Sequence, residues 1–197
     1  MDTNCYVIWD TESKEAAIID PGGDPGRILS VVETLGISPT WILLTHGHFD
    51  HTFHVGDILG HYDVIVAMHE ADIAIMADMM DIAAMFYDVS HYVSFTLTDF
   101  LTDGQEIALG TSAVKVVHTP GHSQGGVCLA TDAGVFCGDT IFAGSIGRTD
   151  FQGGSYEQLI NSIRDRVLTL DDATLLFPGH GPATSVGQER RTNPYLG

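Results

Sequence analysis

The run Thr45-His46-Gly47-His48-Phe49-Asp50-His51 constrains this chain more than any other feature, because three imidazoles and a carboxylate fall within six positions. His46 and His48, at i and i+2, point the same way from an extended segment, so one cation can take a nitrogen from each. Asp50 and His51 follow closely enough to serve a second, adjacent cation. The apolar run Trp41-Ile42-Leu43-Leu44 leads straight into the cluster. That places it in a loop at a strand's C-terminal end, where ligands bind in layered α/β folds.

The rest of the chain reads as alternating strands and helices. Tyr6-Val7-Ile8-Trp9 and Ala16-Ala17-Ile18-Ile19, separated by a polar turn, predict a β-hairpin. Ile28, Leu29, Val32 and Leu35 recur at helical spacing between Pro25 and Gly36 and predict a helix over 25–35. Further strands are expected at 64–67, 106–109, 114–117, 127–130 and 135–137, with a last one at 174–177. Helical segments are expected around 57–59, over 70–87 and over 156–168. In the 70–87 segment, Met76, Met79, Met80, Met85 and Phe86 suit core packing, with the lining of a substrate pocket as the competing use.

Composition narrows the function classes. The 197 residues suffice for one domain with a large core, and the hydrophobic 44% is spread along the chain without a run long enough to cross a membrane. The first residues show neither a basic nor an apolar leader region, so a cytoplasmic address is expected. Cys5, Cys128 and Cys137 are too few and scattered for a disulfide framework and read as reduced packing residues. Eight basic residues against 26 acidic ones give a net charge of −18, which opposes polyanions at long range. The expected partner is therefore a small molecule, with no nucleic acid and no membrane.

Several strands end in a further potential ligand: His118-Thr119-Pro120-Gly121-His122, Gly138-Asp139 and Pro178-Gly179-His180. With these endings the chain resembles the metallo-β-lactamase-fold hydrolases, and within them the compact glyoxalase II-like group. The resemblance rests on the H-x-H-x-D-H run, TPGH at 119–122, GDT at 138–140, GRTDF at 147–151, PGHG at 178–181 and TNPYL at 192–196, and it covers nearly the whole chain. It implies an α/β fold, a four-layer αβ/βα sandwich of two mixed sheets flanked by helices, in a single domain over 1–197. It further implies that His46, His48 and His122 hold one metal, that Asp50, His51 and His180 hold the other, and that Asp139 bridges them. Two divalent ions, zinc by expectation with iron or manganese also compatible with these ligands, would share a water, lower its pKa and present hydroxide to an acyl carbonyl. Asp50 would orient that nucleophile. A thioester such as S-lactoylglutathione fits this chemistry, because a thiolate leaving group needs little protonation.

The chain departs from the family in four places. It is expected to lack the C-terminal helical domain that contributes basic residues to glutathione binding in full glyoxalase II enzymes. Arg148 stands where the family's glutathione-contacting lysine lies and is the candidate substrate contact, yet a partner tyrosine two positions on is replaced by Asp150. Relatives also have a further strand before Asn4-Cys5-Tyr6, and an edge left without it would favour self-association. His54 occupies a position that is usually glycine, where it would narrow the pocket or bind an additional metal. Asp20 is expected either to orient a ligand or to cap a turn, and His118 to pack near the site. The rival activities are a mononuclear iron persulfide dioxygenase, against which His180 speaks, and a lactonase or β-lactamase. A nucleic-acid-processing member and a metal-binding module without activity fit less well.

Overall fold

The computed structural model describes residues 3–86 and 88–197; the side chains at 79–82 and 86 lie outside that description. The chain opens with β1 (Tyr6–Trp9) and β2 (Glu15–Ile19), followed by α1 (Pro25–Leu35), β3 (Ser38–Leu43), the short helices α2 (Phe49–Thr52) and α3 (Val55–Leu59), and β4 (Ile65–Met68). A single 3-10 turn (Glu70–Asp72) then leads into α4 (Ile73–Phe86), and β5 (Asp99–Phe100) ends the first half. The second half holds β6 (Glu106–Leu109), β7 (Ser112–His118), β8 (Val127–Thr131), β9 (Gly134–Gly138), β10 (Ile141–Phe142), β11 (Ser145–Ile146) and α5 (Tyr156–Ser162). After a π-helical turn (Ile163–Val167) come β12 (Leu175–Pro178), β13 (Thr184–Ser185) and α6 (Val186–Thr192).

Two sheets carry the fold. The first has the order β1-β2-β3-β4-β5, with an antiparallel β1–β2 hairpin and parallel pairing thereafter. The second runs β13-β12-β9-β8-β7-β6 and is antiparallel except for the parallel β9–β12 pair. Period-two alternation decides which side chains face which layer. Ala16, Ile18, Ile42, Leu44, Val66 and Met68 point outward onto Ile28 and Val32 of α1 and Val55 and Ile58 of α3. Their neighbours Ala17, Ile19, Leu43 and Ala67 point inward, against Val114, Val116, Val127, Leu129 and Phe136 of the second sheet. The second sheet's other face, with Cys128, Val135, Cys137 and Leu176, is covered by Leu159 and Ile160 of α5, Ile163 and Val167 of the π turn, and Val186 of α6. Each Val, Leu, Ile, Met or Phe among them contributes about 1.5–3 kcal/mol on burial, and the result is the expected helix/sheet/sheet/helix sandwich.

Most expected elements form where the pattern puts them, and α1 ends at Gly36 in the left-handed conformation (φ 61°). The differences have local causes. The helix expected over 156–168 widens into the π turn at Ile163 while keeping its apolar face buried. The segment at 175–178 is not the last strand: β13 and α6 follow, too short and too polar to show a period. Met76 packs against the first core cluster, whereas Met85 is 75% exposed, so the methionine segment is not uniformly core. Met79, Met80 and Phe86, invoked for the same role, have side chains outside the described set, as does Tyr87 at the segment's end. Cys5, Cys128 and Cys137 are all free thiols, the last two fully buried. No helix among the described residues is long and apolar enough to cross a membrane.

Candidate metal centre

The loops at the C-terminal ends of β2, β3, β7, β9 and β12 converge on one point. His46 and His48 follow β3, His122 follows β7, Asp139 follows β9 and His180 follows β12, while Asp50 and His51 lie in α2. His122 Nε2 stands 3.3 Å from His46 Nε2 and 2.9 Å from His48 Nδ1. Asp50 Oδ2 lies 3.7 Å from His51 Nε2 and 3.2 Å from His180 Nε2. Asp139 joins the two groups: its Oδ1 is 3.4 Å from His51 Nε2, and its Oδ2 is 3.6 Å from both His122 Nε2 and His180 Nε2.

The outer hydrogen bonds decide which nitrogen of each ring faces inward. Asp20 Oδ2 accepts from His51 Nδ1 at 2.9 Å and from Thr45 Oγ1 at 2.6 Å, and Thr45 Oγ1 in turn accepts from His46 Nδ1 at 3.0 Å. His122 Nδ1 donates to the Arg148 carbonyl at 2.7 Å. With these protons committed outward, Nε2 is the nitrogen of His46, His51 and His122 that faces the centre. Asp20 is thus the orienting residue of the two alternatives. It holds φ at 49°, a conformation that costs a non-glycine residue about 1–3 kcal/mol, and its other oxygen accepts the Thr45 amide at 2.8 Å.

Lone pairs facing one another across 3 Å are repulsive unless a proton or a cation lies between them. Burial, reinforced by neighbouring imidazoles, pushes His46 well below the ordinary histidine range and His48 down to about 3, and burial lowers His122 as well. These three rings are neutral. His51 moves the other way: burial opposes its charge, but Asp139 and Asp20 outweigh that and raise it well above the usual value. Asp50 and Asp139 are both held below the usual carboxylate range despite burial, Asp50 by His180 and His51 and Asp139 by His51 and His122. His51 Nε2 and Asp139 Oδ1 are buried without a hydrogen-bond partner. Neutral imidazoles, anionic carboxylates and orphaned inward atoms together form a donor set that fits divalent cations. The donor atoms of His46, His48 and His122, and likewise of Asp50, His51 and His180, lie within 4.8 Å of one another.

Other expected residues fall differently. The Arg148 guanidinium is bound by both oxygens of Asp150, at 2.9 and 2.8 Å, and lies 4.2 Å over the Phe151 ring, which meets the His48 ring edge-on at 5.5 Å. His54 Nδ1 pairs with Asp57 at 2.8 Å, which accounts for the ring within its own turn. His118 stacks on His69 at 4.3 Å and bonds the Gln124 carbonyl. Two contributors escaped the sequence reading. Thr3 donates to Asp50 Oδ2 at 3.0 Å from a segment whose Asn4 amide bonds the Gly179 carbonyl. Asp72 is fully buried behind the His46 loop. A threonine near a terminus and an acidic residue heading a helix carry no distinguishing pattern.

A four-layer sandwich with histidine and aspartate ligands gathered at the strand ends defines a class of metal-dependent hydrolases. Residues 1–180 match the family model of the metallo-beta-lactamase superfamily. The chain belongs to that superfamily. It is similar to the hydroxyacylglutathione hydrolase GloC of Haemophilus influenzae, with 39% identity over 198 residues, 98% of this chain and 92% of that protein. Among solved structures it resembles the BLEG-1 B3 metallo-beta-lactamase (TM-score 0.89, 35% identity, 98% and 94% of the two chains). It also resembles TTHA1623 in a di-iron-bound form (TM-score 0.87, 35% identity, 98% and 95%).

Proposed function

We propose that this protein is a binuclear metal-dependent hydrolase that cleaves a small acyl thioester of the S-lactoylglutathione type. The observation that carries the reading is the second cluster: His180 reaches Asp50 beside His51, and Asp139 spans from there to His122, so ligands for two ions adjoin. The 39% identity to GloC along 98% of the chain supports the thioester as substrate class. His46, His48 and His122 would hold one ion and Asp50, His51 and His180 the other, with Asp139 between them. Bound there, a pair of divalent ions supplies Lewis acidity toward the acyl carbonyl and lowers the pKa of a shared water. Asp50 accepts from Thr3 on Oδ2, which fixes the carboxylate that would help hold the second ion, and its remaining acceptor capacity would orient the attacking water. Asp20 holds the tautomers of His46 and His51 through the cycle, and the thiolate leaves without a dedicated acid.

Zinc is the expected metal, and the di-iron form of TTHA1623 keeps iron as the competing identity. A net charge of −18 supports a small-molecule substrate over nucleic acid or an anionic membrane, and three free thiols support a reducing, cytoplasmic setting. The edge position of β1 among the described residues supports self-association, which sedimentation tests; a strict monomer removes it. The likeness to BLEG-1 favours one second reading, hydrolysis of a β-lactam at the same centre. Metal analysis combined with turnover separates these readings. Two equivalents of metal and release of free thiol from S-lactoylglutathione are expected. One iron with oxygen uptake on a persulfide overturns the proposal, and turnover of a chromogenic cephalosporin without thioesterase activity transfers it to the β-lactam.

A further inference from the structure

Asp72 ends the 3-10 turn between β4 and α4, is fully buried, and is not itself within the ligand clusters. Its carboxylate accepts three hydrogen bonds. Oδ2 takes the Gly47 amide at 3.0 Å and the Ser123 hydroxyl at 2.7 Å, and Oδ1 takes the Gly125 amide at 2.5 Å. Gly47 lies between His46 and His48, and Ser123 directly follows His122. One anion therefore spans the two loops that present these three imidazoles.

The loops are built to admit it. A Cβ on Gly47 would stand 2.8 Å from the Asp72 carbonyl oxygen, and one on Gly125 would stand 2.8 Å from Asp72 Oδ1. Both positions tolerate only a bare backbone beside Asp72. The acceptor must also be a carboxylate, because all three partners donate; an amide in its place would turn an N–H toward an N–H. Asp20 supports a different set: it bonds His51 directly and the His46 loop through Thr45, and among the described residues its carboxylate makes no hydrogen bond to the His122 loop.

We propose that Asp72 is a positioning residue for one metal only, holding the His46–His48 loop against the His122 loop so that the three rings converge. The inference rests on the two-ion reading above. Its test is the split between two binding events, which a purely structural role would not produce. Wild type and Asp72→Asn are titrated with Zn2+ against a chelating indicator, and with Co2+ by visible absorption. His48→Ala and His180→Ala, each of which strips one cluster, label the two equivalents. The expected result is that Asp72→Asn keeps the equivalent that His180→Ala loses and binds the other about 10- to 100-fold more weakly. Two equivalents held as in wild type, or both weakened alike in a folded variant, overturn the inference. If Asp72→Asn does not fold, Ser123→Ala, which deletes one of the three donors, decides: a several-fold loss confined to the same equivalent supports the inference and unchanged affinity overturns it. A wild type that takes up no metal overturns the metal-centre reading and this inference with it.

Discussion

At the scale of single residues, the backbone at Gly179 comes too close to the ligand candidates to carry a side chain. A Cβ on Gly179 would lie 2.3 Å from Asp139 Oδ1 and 2.6 Å from His51 Cε1. Gly179→Ala must therefore displace the Asp139 carboxylate or the His51 ring; if the centre holds two ions as proposed, tight metal uptake is expected to fall from two equivalents to one or none, measured by elemental analysis, while circular dichroism stays native. Asp150→Asn tests the opposite kind of position. Both groups of the Arg148–Asp150 pair are exposed, and such pairs contribute about 0.2–1 kcal/mol. Releasing the guanidinium should raise kcat/KM for an anionic thioester by up to about five-fold through KM and leave a neutral thioester unchanged; equal rates for both substrates would exclude Arg148 from substrate contact. The ligand candidates were legible because histidine and aspartate at strand ends are conspicuous residue types. Asp72 and Thr3 were not, since their meaning depends on which loops the fold brings to them.

The same contrast holds among the elements. β2, β3 and β4 were legible because each is an apolar run with a layer on both faces, and α1 because its spacing, its proline and its closing glycine agree. The π turn, β13 and α6 were not, because their register comes from packing on the second sheet rather than from a local period. β1 shows what an edge element does for the site. Tyr6 Oη donates to the Pro178 carbonyl at 2.7 Å, and Asn4 Nδ2 bonds the carbonyls of Pro178 and Gly181, so the hairpin grips the loop that carries His180. Burial pushes the Tyr6 phenol up to about 12 from an ordinary value of 10. A raised acid contributes stability that is whole below pH 10 and is lost as pH climbs toward 12, because the unfolded chain ionises first. Tyr6→Phe should flatten that alkaline decline in Tm relative to wild type, and cost about 0.5–1.5 kcal/mol at neutral pH for the missing bond. Cys5, also raised by burial to about 12, adds to the same decline, so the slopes of the two proteins are what must be compared. Identical slopes would show that the phenol is already solvated in the native state.

For the molecule as a whole, the net charge of −18 and the demand of the centre for cations act together. Repulsion of an anionic substrate reaches about 30 Å at 0.01 M salt and about 8 Å at 0.15 M. Over that range kcat/KM for an anionic thioester should rise while that for a neutral one stays flat, and a falling slope would point to a positive approach path. Metal removal is the more decisive measurement. In the metal-free protein, three imidazole nitrogens face one another at about 3 Å, His51 Nε2 and Asp139 Oδ1 have no hydrogen-bond partner, and Asp50 approaches His180, all in a largely buried centre. Ions that bind this arrangement but not the unfolded chain stabilise it by about 2.7 kcal/mol per site at a hundred-fold excess over Kd. For a chain of this size that corresponds to about 5–10 °C in Tm per site. A strong chelator should lower Tm by that amount in two stages if the two ions differ in affinity, and added Zn2+ should restore it. Asp72→Asn should show the stage that belongs to the His46–His48–His122 cluster displaced toward weaker chelation and the other in place. A Tm that does not move when elemental analysis shows the metal gone would mean that the ions bind the native chain no better than the unfolded one, and the cluster would not be the preformed metal site that the hydrolase reading requires.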